Sequence, residues 1–187
     1  MSKIALLLSP GFADWECACI AGKGGPFYGL AVDFFATNPG KLASQGGLEC
    51  HVGQGMDELQ QWDSDVLVGV GGMIWEQDAA PDIRHVLANS MSNGKVVAGI
   101  CGGTLAMARA GLLNDIEHTS NSAEFLKGAE GYSGQGSYRD SGRAIVCEQV
   151  ITSPGTAPVS FTAKVFRLAG LQSSIVDDFR TMMAAEH

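Results

Sequence analysis

Cys101 lies in the run Gly99-Ile100-Cys101-Gly102-Gly103, a G-x-C-x-G pattern. The apolar segment Val96-Val97-Ala98 leads into it, and the helix-forming segment Thr104 to Ala110 follows at once. Strand, small-residue turn and helix in that order describe a nucleophile elbow, with Cys in place of Ser. So sharp a turn forces its middle residue into a strained backbone conformation and needs small neighbours. A thiol at the start of a helix meets free N–H groups and the positive end of the helix dipole, which favour thiolate. The chemistry expected is attack of sulfur on an electrophilic carbon, or oxidation of the sulfur. The bland alternative is an inert buried Cys in a tight turn.

A reactive thiol needs a partner that sets its ionisation. Glu16, in Ala13-Asp14-Trp15-Glu16-Cys17, falls just past the first apolar run and can approach Cys101 if both runs are strands of one doubly wound sheet. As a protonated acid it would hydrogen-bond the thiolate; ionised, it would act as general base. Otherwise it is an exposed helix carboxylate. His118, in Glu117-His118-Thr119-Ser120-Asn121, follows the elbow helix and is expected to return to the same rim, where a Cys–His pair would activate the sulfur. Its alternative is a satisfied polar residue at a strand end. His51, His85 and His187 are set aside as site residues. Cys17 and Cys19 read as helix core, Cys50 and Cys147 as core or edge thiols, and Trp75 as either a pocket wall or a packing residue. Gly69-Val70-Gly71-Gly72 is not a dinucleotide fingerprint, because no G-x-G-x-x-G follows a strand here.

The elements that must hold these residues are legible as alternating runs. Ile4 to Leu8, Ala31 to Ala36, Val66 to Val70 and Val96 to Ile100 predict strands. Phe12 to Ile20, Asp82 to Ser92 and the segment after Cys101 predict helices, with Asp14 a candidate N-cap and Gly22, Gly24, Gly25 and Pro26 interrupting any longer helix. Lys41 to Ser44 with Leu48 to Val52 suggests a hairpin, and Met56 to Gln61 a short helix. Later in the chain, Glu117 to Ser120 reads as a short strand and Ala123 to Gly142 as a surface excursion. Ala144 to Cys147 and Val150 to Thr152 read as edge strands, and Val159 to Leu168 and Ser173 to Met183 as helices. The alternation predicts one domain over 1–187: a three-layer α/β/α sandwich around a mostly parallel, doubly wound, flavodoxin-like sheet. The site is then expected beyond the carboxyl ends of the strands.

With 187 residues, 45% hydrophobic and 17% charged, the chain is long enough for a real core. A net charge of -8 argues against nucleic acid and anionic membrane as partners. The N-terminal apolar run is too short for a signal segment, and no window reaches membrane-spanning length. The five cysteines, an odd number, form no C-x-x-C pair and are expected to be reduced thiols of a cytoplasmic protein.

These motifs resemble the ThiJ/PfpI superfamily over nearly the whole length. Its markers are Ala13-Asp14-Trp15-Glu16, Gly71-Gly72, Ala98 to Gly103, Ala110-Gly111-Leu112-Leu113, His118 to Asn121 and Ile151 to Pro158. The resemblance implies the fold of class I glutamine amidotransferases, Cys101 as the reactive and oxidisable cysteine, and Glu16 as the acid bonded to it. It also implies an oxyanion-type pocket from the N–H groups of Gly72 and Gly102; Asn121 and Trp75 are further pocket candidates from their places in the chain. Gly102 stands where protease-like members carry His, Asn121 ends the run where other members carry His, and the amidotransferase H-x-E is missing. The function expected is a cysteine-dependent enzyme of glutamine amidotransferase-like or hydrolase type, acting on a small carbonyl, amide or related electrophile. The alternatives are a redox-sensing or stress-protective protein that uses oxidation of Cys101, and a binding module without catalysis. No cofactor or metal is expected. The partners expected are a small-molecule substrate and, because such proteins commonly pair, a second copy in a homodimer.

Overall fold

Strands whose every residue is apolar end up covered on both faces, and this chain has several. The computed structural model describes residues 1–185. Its elements in order are β1 (Lys3–Leu8), α1 (Asp14–Tyr28), β2 (Ala31–Ala36), β3 (Gly40–Ala43), β4 (Glu49–Val52), α2 (Met56–Trp62), β5 (Val66–Gly69), α3 (Arg84–Ser92), β6 (Val96–Ile100), α4 (Gly103–Arg109), α5 (Ala123–Leu126), β7 (Ile145–Cys147), β8 (Val150–Ser153), α6 (Pro158–Leu168) and α7 (Ser173–Ala184). The main sheet has the order β2-β1-β5-β6-β8-β7. All neighbours in it are parallel except β7, which runs antiparallel to β8.

Alternate residues of each inner strand feed two separate cores. Ile4, Leu6, Leu8 and Val68 pack with Ile20 of α1, Phe161 and Phe166 of α6 and Phe179 of α7. Ala5, Leu7 and Leu67 pack with Leu59 of α2, Val86 and Leu87 of α3 and Leu105 of α4 on the other face. The result is the expected single-domain α/β/α sandwich. The chain turns from β1 outward to β2 and later resumes at β5 on β1's other side, so β1 and β5 flank the switch point.

Four local expectations need correction. Helix α1 does not stop before Gly22 but continues through Gly24, Gly25 and Pro26 to Tyr28. A Cβ on Gly24 would sit 2.8 Å from Val32 Cγ2 and 3.4 Å from Phe166 Cε1, so the missing side chain lets the helix lie close against β2 and α6. The helix ends at Gly29 in the left-handed conformation (φ 66°), whose N–H reaches the Gly25 carbonyl. Asp14 is not its cap: Ala13 holds that position, and Asp14 Oδ2 instead accepts the Gly46 N–H at 2.8 Å, tying α1 to the β3–β4 hairpin. Strand β8 is not an edge strand. It lies between β6 and β7 and is buried at every residue. The segment around His118 is no strand but a single bridge, from His118 to Tyr138.

Candidate functional site

The carboxyl ends of β1, β5, β6 and β8 deliver one residue or loop each to a common point. Cys101, directly after β6, has φ 53°, a left-handed conformation that non-glycine residues avoid. Hydrogen bonds on both sides hold the turn. Its N–H donates to the Ser153 carbonyl at 3.0 Å, and its carbonyl accepts the N–H and the hydroxyl of Thr104 at 3.0 and 2.6 Å. Helix α4 then leaves so close to the sheet that side chains are excluded: a Cβ on Gly103 would run into the Gly69 carbonyl, and one on Gly99 would strike Met107 Sδ.

Glu16 reaches this point from the first turn of α1 and is fully buried. Its Oε2 accepts the Gly71 N–H at 2.7 Å. Its Oε1 has no partner with hydrogen-bond geometry among the described residues and is turned toward the thiol. Burial drives its pKa up to about 7, against the pull of the Gly71 N–H and of Cys101. The half-buried Cys101 thiol is pushed up to about 11, first by burial and then by the charge of Glu16, while Asn121 and the Gly102 N–H pull it down. The low thiol pKa expected from the helix start is therefore outweighed, first by burial and then by a charged Glu16. A protonated Glu16 removes that repulsion and supplies a donor, so the two groups act as one unit that shares a proton.

The structure separates the two residues that the sequence left side by side. Thr119 N–H donates to Thr152 Oγ1 of β8 at 2.9 Å, and Ser120 Oγ lies 2.6 Å from Thr104 Oγ1 of α4. These two anchors place Asn121 over the sulfur. Asn121 Nδ2 donates to Cys101 Sγ at 3.2 Å, and Asn121 Oδ1 accepts the Gly155 N–H at 2.9 Å. His118 is not brought to the thiol. Its ring is fully buried, edge-on to Tyr132 and Tyr138, with Nδ1 2.8 Å from the Ile116 carbonyl and Nε2 2.8 Å from the Tyr132 hydroxyl. A carbonyl can only accept, so Nδ1 carries the proton and Nε2 accepts from Tyr132. Burial lowers its pKa, and both nitrogens are engaged, so the expected Cys–His pair is not formed.

Gly72 and Gly102 do lie at the elbow, and both must be glycine. A Cβ on Gly72 would be 2.6 Å from the Gly11 carbonyl, and one on Gly102 would be 2.6 Å from the Gly72 carbonyl. Trp75 does not wall an open pocket. It is fully buried beneath Gly102, with Nε1 donating to the Val70 carbonyl at 2.9 Å. Among the other histidines, His51 is on β4 and His85 on α3, and His187 lies outside the described residues.

Two site residues escaped the sequence reading. Gly71, rather than its neighbour Gly72, holds Glu16. Gly155 packs on the pair itself: its missing Cβ would sit 3.0 Å from Cys101 Sγ and 3.1 Å from Glu16 Oε1. The Gly155 carbonyl also accepts the Trp15 indole N–H at 3.1 Å. The available signal was position, since Gly155 follows the strand adjacent to the elbow strand and so must reach the same rim. No group of three or more His, Cys, Asp and Glu able to hold a metal ion converges among the described residues. No described helix is long and apolar enough to cross a membrane.

With this geometry in hand, comparison with known proteins is decisive at one level. The profile of the DJ-1/PfpI family matches residues 2–168. The chain belongs to the DJ-1/PfpI family. It is 27% identical over 173 residues to the Uncharacterized protease YoaZ of Bacillus subtilis, covering 88% of this chain and 82% of that one. Among solved structures, the DJ-1 superfamily protein Atu0886 from Agrobacterium tumefaciens superposes with a TM-score of 0.95 at 34% identity over the full length of both chains. A thiJ/pfpI family protein from Bacillus anthracis shares the fold, with a TM-score of 0.86 at 23% identity over 100% of this chain and 92% of that one. The DJ-1/PfpI assignment thus accounts for the sandwich and the elbow.

Proposed function

We propose that this protein is a cysteine-dependent enzyme that adds the Cys101 sulfur to the carbonyl carbon of a small electrophile, with Glu16 moving the proton. The observation that carries this reading is the buried Glu16 carboxyl. One oxygen is fixed by Gly71, and the other faces the sulfur at a pKa raised to about 7. A carboxyl tuned to neutrality is suited to give and take a proton within one turnover. With an aldehyde, the S–C bond forms as the C=O π pair moves to oxygen; the thiol proton passes through Glu16 to that oxygen, giving a hemithioacetal. With an ester or amide, the same addition is followed by loss of the protonated leaving group and hydrolysis of the thioester by water. Asn121 steadies the developing thiolate. Peptide hydrolysis in the manner of a Cys–His protease is not favoured, because His118 is fully occupied.

A second reading follows from the same pair: oxidation of Cys101, with a protonated Glu16 and the neighbouring N–H groups holding the oxidised sulfur. The experiment that separates them is turnover of a panel of small esters and amides, with adduct formation from small aldehydes read by intact mass, for wild type, Cys101→Ala and Glu16→Gln, alongside intact-mass analysis after mild peroxide. Turnover that needs Cys101 and falls by orders of magnitude in Glu16→Gln supports the enzyme. No turnover of any panel member, with selective oxygen addition at Cys101, supports the second reading instead.

A further inference from the structure

Only 12 of the 187 residues are Lys or Arg, and the net charge is -8. Four of those 12, Arg143, Lys164, Arg167 and Arg180, nonetheless line a single groove of about 750 Å³ formed by α6, α7 and the turn before β7. Among the described residues its one acidic lining residue is Asp177, which meets Arg180 at 3.5 Å as a weak, solvent-exposed pair. Arg143, Lys164 and Arg167 have no ion-pair partner among the described residues. Lys164 and Arg167 stand three apart on α6, where like charges repel, so nothing within the helix rewards the arrangement. Gathering cations over a low-dielectric floor in an otherwise acidic molecule produces a local positive potential that its surroundings do not share.

The floor is of a different character. Pro158 and Val159 of α6 and Met183 of α7 are half-buried and line it, backed by the buried Ala163 and Val176. The two helices close on each other elsewhere, where Phe166 and Phe179 meet edge-to-face at 5.5 Å, so the open part is the stripe that carries the cations. Its volume falls within the range of small-ligand sites. Cys101 is not part of the groove.

We propose that this groove binds a small amphiphilic anion: a carboxylate with its head on Lys164 and Arg167 and its aliphatic body on Pro158, Val159 and Met183. The head gains charge-assisted hydrogen bonds from two cations that otherwise repel, and the body covers apolar surface. A neutral or cationic molecule of the same length gains only the second part, or is repelled.

The test is isothermal titration of the whole protein with octanoate, octan-1-ol and octylamine. Octanoate binds, and its affinity drops as salt rises. Hexanoate, octanoate and decanoate differ by up to about fourfold per methylene. Octanol binds at least about tenfold more weakly, and octylamine does not compete. The double variant Lys164→Glu/Arg167→Glu loses about tenfold or more of the octanoate affinity, and Lys164→Gln/Arg167→Gln, which keeps the aliphatic stems, loses part of it. Cys101→Ser binds like wild type, which keeps this result independent of any reaction at the thiol. Absence of octanoate binding to the wild type would overturn the proposal, as would equal affinity for octanol or unchanged affinity in the folded double variant. A double variant that turns a dimer into a monomer on sedimentation, with wild type binding no octanoate, would overturn it in favour of a second copy covering the groove.

Discussion

Asn121 is held by Gly155 so that only its amide nitrogen can face the Cys101 sulfur. With Oδ1 taken by the Gly155 N–H at 2.9 Å, the Nδ2 group must be the one 3.2 Å from Sγ, and it donates. A donor at sulfur favours thiolate. Replacing Asn121 with Ala is expected to raise the midpoint of thiol alkylation by about one pH unit and to slow iodoacetamide labelling at pH 8 about tenfold. An unchanged pH profile of labelling would refute this role.

Glu16 makes stability depend on pH in a stated direction. Its carboxyl keeps its proton up to about pH 7 in the folded protein, against an ordinary value of 4.5. Between those two values the unfolded chain has already lost the proton that the folded chain holds. Folding stability is therefore greatest, with respect to this group, below pH 4.5 and declines until about pH 7. Glu16→Gln removes that decline. It is expected to match wild type at pH 4.5 and to exceed it at pH 8 by up to about 3 kcal/mol in urea unfolding. Parallel stability curves for the two proteins from pH 4.5 to 8 would contradict the burial argument.

Steric closeness yields a third expectation. A methyl at residue 155 would press on Cys101 Cβ and Sγ and on Glu16 Oε1 together, and one at residue 71 would lie 2.8 Å from both Cys101 Cβ and the Ile100 carbonyl. Gly155→Ala and Gly71→Ala are each expected to lose about 1–3 kcal/mol of stability and to slow Cys101 labelling. Gly136→Ala, where a Cβ meets nothing within 4 Å, serves as the control. Loss of the same size at all three positions would remove the special status of the first two.

His118→Phe is expected to behave differently from Glu16→Gln. It orphans the Ile116 carbonyl and the Tyr132 hydroxyl, costing about 1–3 kcal/mol, and leaves the pH profile of Cys101 labelling where it was. Denaturant midpoint and labelling profile, measured on one preparation, check both halves. A shifted labelling profile would return His118 to the site.

The strands were legible where burial on both faces makes every residue apolar, as in Ile4 to Leu8 and Val96 to Ile100. The elbow was legible because its geometry admits only small neighbours. The length of α1 was not, because Gly24 is chosen by what lies opposite it, Val32 and Phe166, and helix propensity carries no record of that contact. Val150 to Thr152 is too short a run to announce whether a further strand lies beyond it. The choice between His118 and Asn121 was beyond reach for a related reason. Their segment forms no regular element, so no period relates residue number to direction, and two anchors distant in sequence, Thr152 and Thr104, decide which side chain meets the sulfur. Glu16 was accessible because chain order and a doubly wound sheet alone bring the first crossover to the elbow.

The convergence of four strand ends on one sulfur has a practical corollary. Glu16, Gly71, Asn121 and Gly155 reach Cys101 from separate stretches of the chain, so release of any one of β1, β5 or β8 leaves an ordinary, solvent-bathed cysteine. The thiol is a built-in gauge of how those stretches are seated: the pH profile of its labelling in the folded protein reports whether each still faces the sulfur, without any added probe.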